Sequence, residues 1–156
     1  MRVLLLAASN RQPVWVNEGF NEYAKRIRAN CRLELKQIAL ASRPASAPVQ
    51  RAMNDEGTRM LAAVPDTAHV VALAQDGEPW STAQLVTRFN RWMTDGLHLC
   101  LLLGGPDGLS ERCMQRADER WSLSRLTLPH GLARIVVAEA LYRAWSVIQR
   151  HPYHRA

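Results

Sequence analysis

The segment that offers the most chemistry is a glycine-rich turn at the end of a buried apolar run. Residues Leu101–Ser110 read LLLGGPDGLS. Ligands of open α/β sheets bind beyond the carboxyl ends of strands, and glycine lets the backbone approach them closely. The segment therefore predicts a ligand site at Gly104, although a tight structural turn would produce the same pattern.

Several familiar catalytic patterns are missing from the chain. It has no GxSxG, HExxH or GxxxxGK[ST] motif, which argues against a serine hydrolase, a zinc metalloprotease and a P-loop enzyme. The first apolar run continues as Ala7-Ala8-Ser9-Asn10 rather than GxGxxG. This turn argues against a standard dinucleotide site.

The chain closes on polar and aromatic residues, which read HPYHR over His151–Arg155. An aromatic ring, two imidazoles and a guanidinium gain little from packing, and they suit a surface that meets a polar ligand. A frayed terminus is the competing interpretation. We predict no metal site at His151 and His154, because neither a cysteine nor an acidic cluster lies near them.

Three cysteines, Cys31, Cys100 and Cys113, are scattered without a CxxC pair. Their odd number and spacing predict reduced thiols in a cytoplasmic protein, without a disulfide framework or a cysteine zinc site. Cys113 and His130 could form a nucleophile–base pair, but nothing in the sequence orients them. A buried, inert thiol is the favoured interpretation of Cys113.

Charge points to a polyanionic partner. The chain carries 20 basic and 14 acidic residues, which gives a net charge of +6, and all the basic residues except Lys25 and Lys36 are arginines. The planar guanidinium fork suits phosphates and base edges, which favours a nucleic acid. A GC-rich genome would enrich arginine as well. No apolar run approaches the roughly 18–20 residues of a membrane span, so no membrane partner is predicted.

The elements that must position these residues alternate between strands and helices. A length of 156 residues with 47% hydrophobic composition predicts one globular domain over 1–156. The spacing of apolar residues predicts strands at Val3–Ala7, Leu33–Leu40, His69–Leu73, His98–Leu103 and Ser122–Leu128. Helices are predicted at Val14–Arg28 and at Val49–Val64, and a third follows a capping box at Ser81–Gln84. Residues 41–48 are predicted to form a mobile loop. Strands separated by helices imply an α/β fold with a parallel sheet and flanking helices.

The last predicted helix, Leu132–Ile148, is apolar around most of its circumference. Glu139, Arg143 and Ser146 fall on one narrow stripe. Because one face of a sheet cannot cover such a helix, we predict that a second copy of the chain covers it in a two-fold dimer. A wholly buried internal helix is the alternative.

Several segments, taken in order and spacing, resemble the RlmH family, the small SPOUT-class methyltransferases that modify large-subunit ribosomal RNA. They read LLGGPDG (102–108), WSLS (121–124), LTLPH (126–130), AEALYRA (138–144) and HPYHR (151–155), and DEGTRML (55–61) and GEPW (77–80) also fit. The similarity extends over essentially the whole chain. Two positions depart from the family pattern: residues 8–11 read ASNR where a glycine and a lysine are usual, and Gly131 replaces a larger residue.

The resemblance implies a homodimer with a C-terminal trefoil knot, at about 70–150, that binds S-adenosylmethionine. The implied product is S-adenosylhomocysteine, and the implied acceptor is N3 of pseudouridine 1915 in helix 69 of 23S rRNA, on the assembled ribosome. By position, the cofactor-binding residues are Leu73, Gly104, Leu123, Ser124, Arg125, Leu126, Thr127 and Leu128.

We predict that residues near the end of the chain take part in the reaction. Removal of the N3 proton needs an acceptor, and the developing anion needs a cation; His154 and Arg155 are the predicted groups. Tyr153 is expected to stack on the base or to bond the backbone. Arg143 either clamps a phosphate or pairs with Glu139 one turn earlier. The rival hypotheses are an RNA-binding dimer without catalysis and a SPOUT methyltransferase that acts on another RNA, such as tRNA.

Overall fold

A computed structural model describes residues 1–155 of the chain. In chain order its elements are β1 (Arg2–Ala8), α1 (Val14–Ala24), β2 (Arg32–Ile38), α2 (Val49–Ala63), β3 (His69–Pro79), α3 (Thr82–Thr94), β4 (Leu99–Leu103), α4 (Glu111–Arg116), β5 (Glu119–Ser122) and α5 (His130–Ile148). A 3₁₀ turn at Pro152–His154 follows α5.

The five strands form one parallel sheet in the order β2-β1-β4-β3-β5. One apolar core lies between the sheet and α1, α3 and α5, and a second lies on the opposite face, under α2 and α4. The predicted α/β class, with a parallel sheet and flanking helices, is confirmed.

Local sequence explains most of these elements. The central strands β1, β4 and β3 are near-continuous apolar runs because both of their faces are buried. Helix α3 begins at the predicted capping box: the Gln84 amide donates to Ser81 Oγ at 3.1 Å, and the Ser81 amide donates to Gln84 Oε1 at 2.9 Å. Gly57, in the middle of α2, faces α4 closely. A Cβ there would lie 2.2 Å from Ser110 Oγ, so glycine lets the two helices meet.

The predicted strand at Ser122–Leu128 was wrong. The strand β5 ends at Ser122, and residues 123–128 form a loop that folds on itself. Within this loop the Leu126 amide donates to Ser124 Oγ at 2.9 Å, and Ser122 Oγ donates to the Ser124 carbonyl at 3.2 Å. These local bonds take the place of a sheet ladder.

The boundaries of several other elements differ from the prediction, and helix α5 begins at His130 rather than at Leu132. Strand β2 ends at Ile38 and helix α1 at Ala24. Strand β3 runs on to Pro79, and its register against β5 shifts between Leu73 and Glu78. This polar extension is held by pairing with a distant strand, which no local pattern reveals.

Helix α5 is covered largely within its own chain. Helices α1 and α3 flank it on the sheet, and nine of its residues are buried, among them Arg134 and Val137. A stripe facing away from the sheet is exposed or half-buried, and it comprises Leu132, Val136, Glu139, Arg143 and Val147. The helix is thus mostly covered without a second copy of the chain, and the predicted dimer concerns this stripe only.

All three cysteines are buried free thiols. Cys31 lies just before β2, Cys100 lies in β4 at the centre of the sheet, and Cys113 lies in α4. Burial raises the pKa of Cys31 to about 11 and that of Cys100 to about 12.

Two further predictions concern the whole chain. None of the helices in residues 1–155 is both long enough and apolar enough to cross a membrane. The trefoil knot at about 70–150 stays a prediction.

Candidate cofactor cavity

A cavity of about 890 Å³ opens at the carboxyl ends of the central strands. The ends of β1, β3 and β4 form its floor, and the segments 104–109 and 127–130 form its walls. Its volume lies within the roughly 300–1,000 Å³ of small-molecule sites. The predicted ligand site at the end of β4 therefore coincides with a cavity large enough for a nucleoside-sized molecule.

Gly104 is required by the turn that walls this cavity. A Cβ at Gly104 would lie 2.5 Å from the carbonyl carbon of Gly108 and 2.7 Å from the Leu109 nitrogen. These are backbone atoms of the same turn, so no side chain fits. At Gly105 the nearest atom to an added Cβ is Leu40 Cδ2, at 2.9 Å, and a side chain can move. The turn and the cavity wall are thus one feature.

The cavity is acidic although the protein as a whole is basic. Asp76 and Asp107 lie in its lining, whereas no lysine or arginine does. Asp107 is ion-paired with Arg43 at 2.8 Å, so Asp76 is the carboxylate left to attract a ligand that carries positive charge.

His130, at the start of α5, is the titratable nitrogen base of the cavity wall. Its Nδ1 lies 3.3 Å from the Gly104 carbonyl oxygen, and its Nε2 accepts from Arg134 Nε at 3.1 Å. A ring that accepts at Nε2 carries its proton on Nδ1, so His130 donates to Gly104. Burial lowers the pKa of His130, and the nearby Arg134 charge lowers it further. The imidazole is therefore neutral at pH 7.

Arg134 is buried, with 1% of its surface exposed, and none of its partners among residues 1–155 is a carboxylate. Its guanidinium donates to His130, to Ser9 Oγ and, at 3.3 Å, to Gln37 Oε1. Burial lowers its pKa. Arg134 therefore connects the carboxyl ends of β1 and β2 to the histidine that holds Gly104.

The predicted cofactor residues gather on one side of the molecule. Gly104, Leu73, Thr127 and Leu128 line the main cavity. Leu123, Ser124 and Leu126 line a smaller one of about 100 Å³ that shares Leu73 and Leu128 with it. Arg125 belongs to the same loop but lies in neither lining. Their contacts with a cofactor stay predictions.

The loop predicted to be mobile, 41–48, is held against the cavity wall by Arg43. The guanidinium donates to Glu56 Oε2 at 2.6 Å and Oε1 at 2.9 Å, and to Asp107 Oδ2 at 2.8 Å. Glu56 is nearly buried and also accepts from the Ala41 amide at 2.9 Å. This ion-pair network raises the pKa of Arg43 and joins α2 to the turn at Asp107.

Of the four residues predicted to act on the substrate, Arg143 lies in the second half of α5 and the other three follow the helix, with the Tyr153 hydroxyl reaching back to Glu139 at its middle. From His130 to Ile148 the helix rises about 27 Å, and Arg143, Tyr153, His154 and Arg155 are absent from the cavity lining. Within one chain, the structure does not bring the two groups of predicted site residues together.

Tyr153 packs on α5, which corrects the expectation that the end of the chain gains little from packing. Its ring centroid lies 4.5 Å from that of Tyr142, and its hydroxyl donates to Glu139 Oε1 at 3.0 Å. Burial and this hydrogen bond raise the pKa of Tyr153 to about 12. Arg143 donates to the same carboxylate at 2.9 and 2.7 Å, as the helical spacing predicts. His154 Nδ1 is buried and has no hydrogen-bond partner within residues 1–155.

Sequence reasoning missed the contacts that organise the cavity. The alternative pairing of Cys113 with His130 does not form: Cys113 Sγ contacts the Gly57 carbonyl at 3.8 Å, and His130 bonds Gly104 and Arg134. The spacing of four between His130 and Arg134 signals that both face one side of a helix. Nothing in the sequence indicates that this side is buried.

A family sequence model described as "Predicted SPOUT methyltransferase" matches residues 1–154. Three curated relatives carry the name "Ribosomal RNA large subunit methyltransferase H". The protein from Methylococcus capsulatus is 51% identical over 99% of this chain and 100% of its own length. The protein from Marinomonas sp. is 48% identical over the same shares. The protein from Thioalkalivibrio sulfidiphilus is 49% identical over 99% of each chain.

Among solved structures, a putative methylase family protein from Neisseria gonorrhoeae has a similar fold. Its TM-score is 0.56, and the match covers 90% of this chain and 80% of that one at 15% identity. At that identity the likeness concerns the fold alone.

Proposed function

Because the chain belongs to the SPOUT methyltransferase family, we propose that it is an S-adenosylmethionine-dependent methyltransferase of large-subunit ribosomal RNA. The observation that carries this proposal is the identity of about half of all positions with relatives named for that activity, over nearly the whole chain. We propose N3 of pseudouridine 1915 in helix 69 as the methyl acceptor.

The acidic cavity fits S-adenosylmethionine on three counts. The exposed backbone of the Gly104–Gly105 turn and the apolar side chains of Leu73, Leu103 and Leu128 suit an adenosine group. Asp76, which forms no salt bridge within residues 1–155, suits the positive charge of the cofactor. The neutral His130 adds no repulsion. When bound, the cofactor supplies the methyl group as an electrophile.

A homodimer would supply what one chain lacks. Three large apolar side chains near the cavity end of α1 and α5 are exposed: Val14 by 68%, Trp15 by 54% and Leu132 by 42%. A second copy that packs its α5 antiparallel against this side would cover them. It would also place its own residues 153–155 at the cavity end, because a two-fold axis across the middle of α5 exchanges the ends of the helix. We therefore propose that each active site is completed by the partner chain.

In the proposed reaction, the chain's residues hold the base and manage its charge. His154 accepts the N3 proton and Arg155 stabilises the developing anion. Tyr153 is anchored on α5 by Glu139, and it thereby fixes the position of the two residues that follow it. Arg143 pairs with Glu139, so its role in this proposal is to hold the carboxylate that accepts from Tyr153. Orientation of the acceptor against the methyl group supplies much of the acceleration.

The test is methylation of ribosomes from a strain that lacks the modification. The purified protein is incubated with 70S ribosomes, free 23S rRNA or tRNA and isotopically labelled S-adenosylmethionine, and the methylated nucleotide is mapped by mass spectrometry. We expect label at N3 of pseudouridine 1915 in ribosomes. Label in tRNA would favour the second rival, and RNA binding without cofactor binding would favour the non-enzymatic dimer.

A further inference from the structure

The amino-terminal ends of the strands, opposite the cofactor cavity, form a concave surface with several cations. A second cavity, of about 650 Å³, lies where β1, β2 and β4 begin. Four cationic groups line it, and we call them the basic edge: the Met1 ammonium group, Arg2, Arg28 and Arg32.

The basic edge has more positive charge than its neighbours neutralise. Arg2 and Arg32 share one carboxylate, Glu34, at 3.0 and 3.5 Å. Arg28 donates to the Lys25 carbonyl at 3.2 Å and forms no salt bridge within residues 1–155. The Arg32 side chain is 78% exposed. One carboxylate against four cations leaves a net positive concave surface, which attracts a polyanion.

Aromatic contacts join this surface to the end of the chain. The Arg26 guanidinium, two residues before Arg28, lies 5.7 Å from the centroid of the Tyr142 ring. The Tyr142 ring also neighbours the Tyr153 ring, with 4.5 Å between the two centroids. The basic edge and the residues 153–155 therefore belong to the same end of the molecule.

We propose that the basic edge binds RNA phosphates that flank the methylated nucleotide, and that it serves the cavity of the partner chain. The inference rests on the proposed function, because only the antiparallel dimer places this end of one chain beside the cavity of the other. The charge distribution favours such a division of labour. Asp76 attracts the cofactor but repels phosphates, and no lysine or arginine of residues 1–155 lines the cavity, so we expect the cations that hold the RNA backbone to lie elsewhere.

The first test is a charge reversal with a matched control. The double variant Arg28→Glu/Arg32→Glu is compared with Arg51→Glu/Arg112→Glu, which makes the same charge change at exposed positions on α2 and α4. We expect the KM for ribosomes to rise about 10-fold or more in the first variant only. The slope of log affinity against log salt should fall by about two, since each phosphate contact contributes about one. Affinity for S-adenosylmethionine and kcat should stay unchanged.

Equal KM values in the two double variants would overturn the inference. An inactive wild-type protein would overturn the proposed function and, with it, this inference. The two failures are distinguishable because only the second abolishes methylation by the unmodified chain.

The second test asks which chain the basic edge serves. Arg28→Glu/Arg32→Glu chains, whose cavity is intact, are mixed with Gly104→Ala chains, whose basic edge is intact. Mixed dimers should recover the wild-type KM, because one intact cavity then faces an intact basic edge. If the Gly104 variant does not fold, Asp76→Arg replaces it, because residue 76 is exposed and its carboxylate lines the cavity. No recovery in the mixture would show that the edge acts on its own chain's cavity and would overturn the proposal.

Discussion

At the scale of single residues, the neutral histidine on the cavity wall has a measurable consequence. His130 has its pKa lowered by burial and by Arg134, so the unfolded chain, in which histidine titrates near 6.5, binds a proton more readily. Stability contributed by this residue is therefore full above about pH 6.5 and declines as the pH falls toward the folded-state pKa. Urea unfolding between pH 5 and 8 should show this decline in the wild-type protein and a smaller one in His130→Asn.

Two variants separate the hydrogen bonds of His130. Asparagine places an amide near Nδ1 and preserves donation to Gly104, whereas glutamine places an oxygen near Nε2 and preserves the bond from Arg134. We expect His130→Asn to bind S-adenosylmethionine more tightly than His130→Gln, because Gly104 walls the cavity. The reverse order in titration calorimetry would show that the Arg134 bond matters more.

The two adjacent glycines should differ in their tolerance of a side chain. Gly104→Ala sets a Cβ against backbone and should destabilise the protein by about 1–3 kcal/mol while weakening cofactor binding. Gly105→Ala meets the end of Leu40 and should cost less. Denaturation midpoints and calorimetric titration of both variants test this. Equal effects would mean that the turn relaxes around either residue.

At the scale of elements, Arg43 is expected to hold the loop 41–48 and the cavity wall in place. Arg43→Met leaves the nearly buried Glu56 without its cation, which should lower the free energy of unfolding by about 3 kcal/mol. Arg43→Lys should recover part of this loss, because it restores charge without the bidentate fork. Arg2→Met is the matched control, since Glu34 is more exposed and such a pair contributes less than about 1 kcal/mol.

The end of the chain is the second element with a defined role. Deletion of residues 151–156 should abolish methylation while preserving the fold and most of the affinity for cofactor, because the cavity lining lies elsewhere. His154→Ala should lower kcat by about 10²-fold if this residue handles the N3 proton. A change confined to KM would indicate RNA binding instead, and full activity after deletion would refute both roles.

At the scale of the whole molecule, neighbouring residues of α5 distinguish assembly from folding. Val137 is fully buried within its own chain, so Val137→Glu should unfold the protein. Val136 lies on the outward stripe, so Val136→Glu should leave a folded but inactive monomer. Light scattering and circular dichroism report the two outcomes. A monomeric wild-type protein at micromolar concentration would contradict the dimer.

The sequence predicted the features that depend on residues close together in the chain, and it missed those that depend on residues far apart in the chain. The apolar runs of β1, β3 and β4 and the capping box of α3 are local, and they were predicted well. The extension of β3 to Pro79 and the anchoring of Tyr153 by Glu139 depend on partners far along the chain. Likewise, the pattern predicted a ligand site at Gly104, and the fold places that glycine in a cavity wall, but only the fold shows that Arg134 is buried and bonded to His130 there.

The three buried cysteines can report local opening of the structure, because each thiol reacts with a reagent only when it becomes accessible. A thiol reacts with an alkylating reagent as the thiolate, and burial disfavours that form at Cys31 and Cys100. Each thiol occupies a different place: Cys31 beside the basic edge, Cys100 in the central strand, and Cys113 where α4 meets α2. The alkylation rate of each thiol, measured by peptide mass spectrometry, would therefore give the rate of local opening in each of three regions. No probe needs to be added to the chain.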